Sequence, residues 1–120
     1  MVLKIANLAR SKLAVPVSKD ETQLQVLTGH GARFPVLSSG DWFPVVLENE
    51  DGKIEICRAT ARTGDVITVL RGREGTDSRA YLAGDACELR MTVDAYNALG
   101  GGGSSTGPVI SVSNAVIVEA

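Results

Sequence analysis

Val69-Leu70-Arg71-Gly72-Arg73-Glu74-Gly75-Thr76, followed by Ala83-Gly84-Asp85 and a new alternating run, is the stretch that decides the fold. It reads as a strand, a charged glycine-punctuated turn, a short excursion and a second strand. Glycine supplies the positive φ values that tight reversals need, and Arg71, Arg73 and Glu74 keep the loop in water. Such a geometry presents surface and holds no catalytic pocket.

The same grammar extends to both sides. Gln23 to Thr28 alternates with period 2, which predicts a strand with Leu24 and Val26 inward. Gly29 to Pro35 reads as a loop, and Gly40-Asp41 turns the chain into a strand over Trp42 to Glu48. Asn49-Glu50-Asp51-Gly52 follows, and Asp-Gly between two β runs is the strongest local hairpin signal in the chain. Lys53 to Ala61 returns, Thr63-Gly64-Asp65 turns again, and Val66 to Leu70 pairs with it. Ala86 to Met91 is a further strand with Cys87, Leu89 and Met91 on one face. Strands at this spacing with turn signals between them predict an antiparallel sandwich or barrel. Met1 to Leu13 fits a helix better than a strand, and Thr92 to Leu99 reads as a short helix capped by Thr92 and stopped before Gly100. Leu24, Val26, Ile54, Ile56, Ile67, Val69, Leu89 and Met91 are expected to share one core.

The chain has 120 residues, of which 44% are hydrophobic and 22% charged, so one globular domain with a tail is the economical reading. Residues 1–99 form the β domain, 100–107 a linker and 108–120 a C-terminal β arm. The linker order GGGGSSTG has five glycines in eight residues and cannot support a core. The arm resumes an apolar pattern through Val109, Ile110, Val112, Val116 and Val118, and a strand of that kind needs an edge to dock on. A net charge of -2 with arginines interleaved among acids argues against nucleic-acid binding. Lys4, Arg10 and Lys12 interrupt any signal peptide, and no run reaches bilayer-spanning length, so no membrane role and a cytoplasmic origin are expected. Cys57 and Cys87 lack metal-site spacing and read as small core fillers.

Chemistry is sparse. Gly-Asp occurs at 40–41, 64–65 and 84–85, each time before a strand, which reads as backbone-capping turns and not as gathered carboxylates. His30 has no nucleophile signature to serve and reads as a loop residue bonding locally. Trp42 and Phe43, with Phe34, form a core or an interface. No catalytic residue, cofactor or metal is expected.

Several of these pieces also carry a resemblance. Ile5-Ala6-Asn7-Leu8-Ala9-Arg10-Ser11-Lys12-Leu13-Ala14 with Pro16-Val17, then Gly29-His30-Gly31-Ala32-Arg33-Phe34-Pro35, Gly40-Asp41-Trp42-Phe43-Pro44, Glu55-Ile56-Cys57-Arg58 and the Arg71–Thr76 turn with Ala83-Gly84-Asp85 occur in order. Together they resemble a family of small β domains in tailed-bacteriophage tail proteins, found at tail-fibre N-termini and in tail-fibre-associated adaptor proteins. The resemblance implies a virion (tail) structural part without enzymatic activity, a symmetric homo-oligomer docked on other phage tail proteins. It implies rim contacts between copies through Arg71, Arg73 and Glu74, and the end at Ala120, short of a fibre shaft, favours an adaptor. A capsid head-decoration protein is the alternative, and a carbohydrate-binding module stacking sugars on Trp42 and Tyr81 is a third reading. The expected fold is all-β: a small antiparallel β-sandwich or barrel with short N- and C-flanking helices and a linker-tethered C-terminal strand.

Overall fold

The computed structural model describes residues 2–101 and 111–112. At the N-terminus two strands stand where a helix was expected, β1 (Lys4–Ile5) and β2 (Arg10–Lys12). Leu3 and Ile5 are buried before the Asn7–Leu8 turn, and Ala9, Ser11 and Leu13 after it. Both runs bury odd-numbered positions with period 2, but the exposed turn residue Leu8 is apolar and the buried Ser11 is polar, so the apolar spacing imitates a helix.

The next strands follow the predicted pattern. β3 (Gln23–Gln25) buries Leu24, a 3-10 turn spans His30–Arg33, and β4 (Phe43–Glu48) pairs with β5 (Ile54–Thr63). The hairpin between them is closed by Asn49: its N–H donates to the Lys53 carbonyl at 3.1 Å, and its Oδ1 accepts from the Asp51 and Lys53 N–H groups. Gly52 takes the left-handed residue of the turn at φ 79°. β6 (Val66–Arg73) returns, and β7 (Ala86–Glu88) is shorter than the run Ala86–Met91 predicts.

These strands form one antiparallel sheet in the order β2-β7-β4-β5-β6-β3. The sheet curls into a half-barrel whose end strands meet: Leu13 bridges Val26, Ala14 N–H donates to Gln25 O at 2.8 Å, and Leu27 N–H to Lys12 O at 3.2 Å. Joining the ends removes open edges that would otherwise template aggregation. Phe43 and Phe34 stack at 5.9 Å in the interior, where full burial of a side chain such as Phe43 contributes about 1.5–3 kcal/mol.

A second, smaller cluster lies outside the curl. Leu3, Ile5, Trp42, Ala95 and Leu99 compose it, and partly buried Leu89 touches both clusters. The helix α1 (Val93–Tyr96) roofs this cluster, with Thr92 Oγ1 accepting from Ala95 N–H at 3.2 Å as the N-cap pattern requires. Beyond it the chain widens into a π-helical turn over Asn97–Gly101, so Gly100 lies within the helical segment and does not stop it. β8 (Ser111–Val112) pairs in parallel with β1 of the same chain, Lys4 opposite Ser111 and Ile5 opposite Val112.

The core prediction fails on one strand. Ile54 is exposed and Ile56 half-buried, whereas Glu55, Cys57 and Ala59 point inward. The hairpin sets this phase: Val45 stands opposite Cys57 and Leu47 opposite Glu55, and both β4 residues face the core. Because the side-chain period is two, fixing one pair fixes the face of the whole strand. Met91 is also exposed, since β7 ends at Glu88 and the chain then leaves the sheet for α1.

Candidate functional site

The inward turn of β5 creates the most unusual local chemistry in the protein. Glu55 has no exposed side-chain surface, and the Arg71 side chain that meets it is almost as buried. Two residues of β6, Arg71 and Gly72, oppose the single residue Cys57 between the pairs Ile56–Arg73 and Arg58–Leu70. Gly72 at φ 59° makes this bulge possible, and the bulge turns Arg71 inward. Arg71 Nε and Nη2 donate to Glu55 Oε2 and Oε1 at 2.7 and 2.9 Å. Its remaining donors reach the carbonyls of Ser18, Glu21 and Arg79, each at 2.7 Å. A guanidinium has five N–H groups, and all five are matched. Glu55 further accepts the N–H groups of Gly72 and Arg79 at 2.9 and 3.0 Å. Burial alone would raise the Glu55 pKa, but the bonds from Arg71, then those from Gly72 and Arg79, outweigh it and hold the carboxyl below its ordinary value.

Arg71, expected in a solvated loop, is therefore the pin joining the 18–21 loop, the bulge and the segment at Arg79. Arg73 remains exposed. Glu74, in the left-handed region at φ 54°, accepts the Asp94 N–H at 3.0 Å, so it anchors the first turn of α1. The three residues of one motif have three different roles, and only Arg73 keeps the surface position that all were expected to share.

The Gly-Asp turns behave as capping turns. Asp41 accepts from Ser38 N–H at 2.9 Å, and Asp85 from Leu82 N–H at 2.8 Å. Asp65 accepts from Gly29 and Gly31 N–H at 3.1 and 2.9 Å, and those two bonds lower its pKa. His30 stands in the loop that Asp65 holds, and its Nδ1 lies 2.8 Å from Ser11 Oγ. This serine–histidine contact joins two residues that sequence reasoning had not paired. Ser11 is buried on the inward face of β2, and Asp65, the carboxylate nearest in role to an orienting acid, is engaged by backbone. The contact closes a corner of the barrel. Among the described residues no three His, Cys, Asp or Glu side chains gather to hold a metal ion.

The aromatic interface candidates are core. Phe43 is fully buried, and Trp42 lies under Arg58, whose guanidinium carbon sits 3.9 Å from the ring centroid. Tyr81 is buried and bridged through its backbone to Val17, so neither of the rings suggested for sugar stacking offers an open face. Of the arm residues, Val112 pairs its backbone with Ile5, while Val109, Ile110, Val116 and Val118 lie outside the described residues, as does the linker from 102 to 107. The outward face that sequence reasoning missed is an apolar strip of Val46, Ile54, Ile56, Met91 and Val93, lining a shallow groove beside α1. Its signal was the pair Ile54 and Ile56, assigned to the wrong side.

Both cysteines are free and buried. Burial pushes the Cys87 thiol up to about 12 and raises Cys57 further, with the Glu55 charge adding to the latter. A thiol reagent at neutral pH is expected to label neither residue until the protein unfolds. Rapid stoichiometric labelling of the native chain would place at least one thiol at the surface.

No protein-family model matches the sequence, and no match to a curated protein was found.

Proposed function

We propose that this chain is a non-enzymatic structural component of a tailed-bacteriophage tail, anchoring or adapting tail fibres through contacts repeated over many copies. One observation carries the reading: the motifs that suggest the family are structural devices in the folded chain. Arg71 pins three segments, the three Gly-Asp turns cap backbone, and His30 closes a corner with Ser11. A domain whose polar residues serve its own loops offers partners a rigid surface, and repetition in a symmetric assembly multiplies modest contacts. Localising the chain in a cryo-electron-microscopy map of the intact particle tests this. Density at the tail supports the role, density on the head selects the decoration alternative, and absence from the particle removes both.

The arm after Gly107 is part of the proposal. The eight-residue linker has a reach of roughly 15 Å by square-root scaling, sufficient for an arm to leave its own β1 for a neighbour. Among the described residues both apolar clusters end by Leu99, and a chain truncated after Gly107 is expected to keep its fold and its thermal midpoint while losing incorporation into the particle. A truncated chain that unfolds, yet incorporates whenever it is refolded, would make the arm an intramolecular strand alone.

A further inference from the structure

The turn between β1 and β2 carries a second exposed feature. Leu8 is 73% exposed and holds a left-handed backbone at φ 56°, a conformation that a side chain with a Cβ rarely adopts. It stands at a cleft of about 730 Å³ lined by Asn7, Leu8, Arg10, Ala32 and Arg33. Arg33 Nη1 donates to the Arg10 carbonyl at 3.2 Å, which fixes one guanidinium at the rim. Among the described residues neither Arg10 nor Arg33 meets a carboxylate. Glu88, opposite Arg10 in the ladder, is engaged by Arg90, so the apolar knob beside two cations that form no ion pair fits a partner with an apolar residue beside two anions.

The chain itself supplies that complement. The β4–β5 hairpin exposes Glu50 and Asp51 at its tip, with Ile54, 41% exposed, at its base. Lys53 is the cation nearby in the hairpin. Within one molecule the two do not meet: among the described residues no ion pair joins Glu50 or Asp51 to Arg10 or Arg33. The tip precedes Ile54 at one end of β5, whereas the 3-10 turn carrying Ala32 and Arg33 abuts Gly64, just past Thr63 at the other end. Ten residues of β5 lie between those two ends.

We propose that copies of this chain associate head to tail, the Glu50/Asp51 tip of one seated at the Arg10/Arg33 cleft of the next, with Ile54 against Leu8. Two different patches make a heterologous contact, which closes into a ring when the rotation per copy allows. Exposed ion pairs are individually weak and screened by salt, so closure over several copies supplies the affinity. The contact deepens the multicopy tail role and rests on it, yet the two fail separately: absence from the particle removes the role, while association in solution is still measured directly.

The test is a charge swap on the full chain, read by sedimentation at low and high salt. Wild type is expected to associate at low salt and to dissociate as salt rises. Arg10→Glu with Arg33→Glu is expected to weaken association about tenfold or more, and Glu50→Arg with Asp51→Arg to do the same. Mixing the two variants is expected to restore it, because each then presents the charge the other lacks. A circular-dichroism spectrum matching wild type shows that both variants fold. A wild type that stays monomeric at low salt, or a mixture that does not recover, overturns the proposal. Loss on reversing the cleft without loss on reversing the tip also overturns it, and assigns the cleft to another acidic occupant.

Discussion

Replacing Arg71 with methionine is expected to cost about 3–5 kcal/mol of folding stability, because removing one partner of a buried ion pair leaves the other charged and unpaired. Glu55 would keep the N–H groups of Gly72 and Arg79 and the Cys57 thiol, and the carbonyls of Ser18, Glu21 and Arg79 would lose the guanidinium. The Arg71→Met midpoint in urea should therefore fall far more than that of a substitution at exposed Arg73. Adding Glu55→Leu to Arg71→Met should recover part of the loss, since an apolar pair no longer buries a lone charge. A loss below about 1 kcal/mol for Arg71→Met would mean that the pair is solvated, as surface pairs are.

The same pair fixes the direction of the acid response. The folded Glu55 pKa lies below its ordinary value of 4.5, so the unfolded chain binds a proton more readily than the folded one. Its contribution is complete above the unfolded value and disappears as pH falls through the folded one. Acid unfolding that depends on Glu55 should set in below the ordinary glutamate range. In Arg71→Met the dominant lowering interaction is gone, and the acid transition should move to higher pH.

The pair also marks the limit of what the sequence disclosed. Alternation and turn signals located β3 to β7, and the Asp-Gly signal placed the β4–β5 hairpin. Hydrophobicity then assigned Ile54 and Ile56 to the core, because a glutamate between two isoleucines normally faces water. The partner that permits Glu55 to face inward is an arginine sixteen positions away, turned inward by a bulge that no local pattern announces. The N-terminal helix failed for a related reason, since apolar Leu8 in the exposed turn and polar Ser11 on the buried face disguise two short period-2 runs as a helical spacing. The surface was the least legible. Leu8 is apolar and reads as core by type, and only the left-handed turn shows why it points outward.

Gly31 shows how tightly the cleft end of the molecule is built. Gly31→Ala is expected to lose about 3 kcal/mol, at the upper end of the range for overpacking. Its new Cβ would overlap the backbone carbonyl of Gly64, so relief requires moving main chain and not a flexible side chain. Neither segment is free to move. Asp65 holds Gly29 and Gly31 through their N–H groups, Val26 N–H donates to the Asp65 carbonyl at 2.9 Å, and Arg62 ties the Pro35 and Gly64 carbonyls together at 3.2 and 3.1 Å. Gly29→Ala provides the contrast. Gly29 has a left-handed φ of 83° but open space around it, so alanine there meets only backbone strain of about 1–2 kcal/mol. Thermal denaturation of the two variants separates the effects: Gly31→Ala should melt well below Gly29→Ala. The reverse order would mean that the 3-10 turn stands away from the Gly64 turn, and that Arg33 is not held at the rim where the head-to-tail contact needs it.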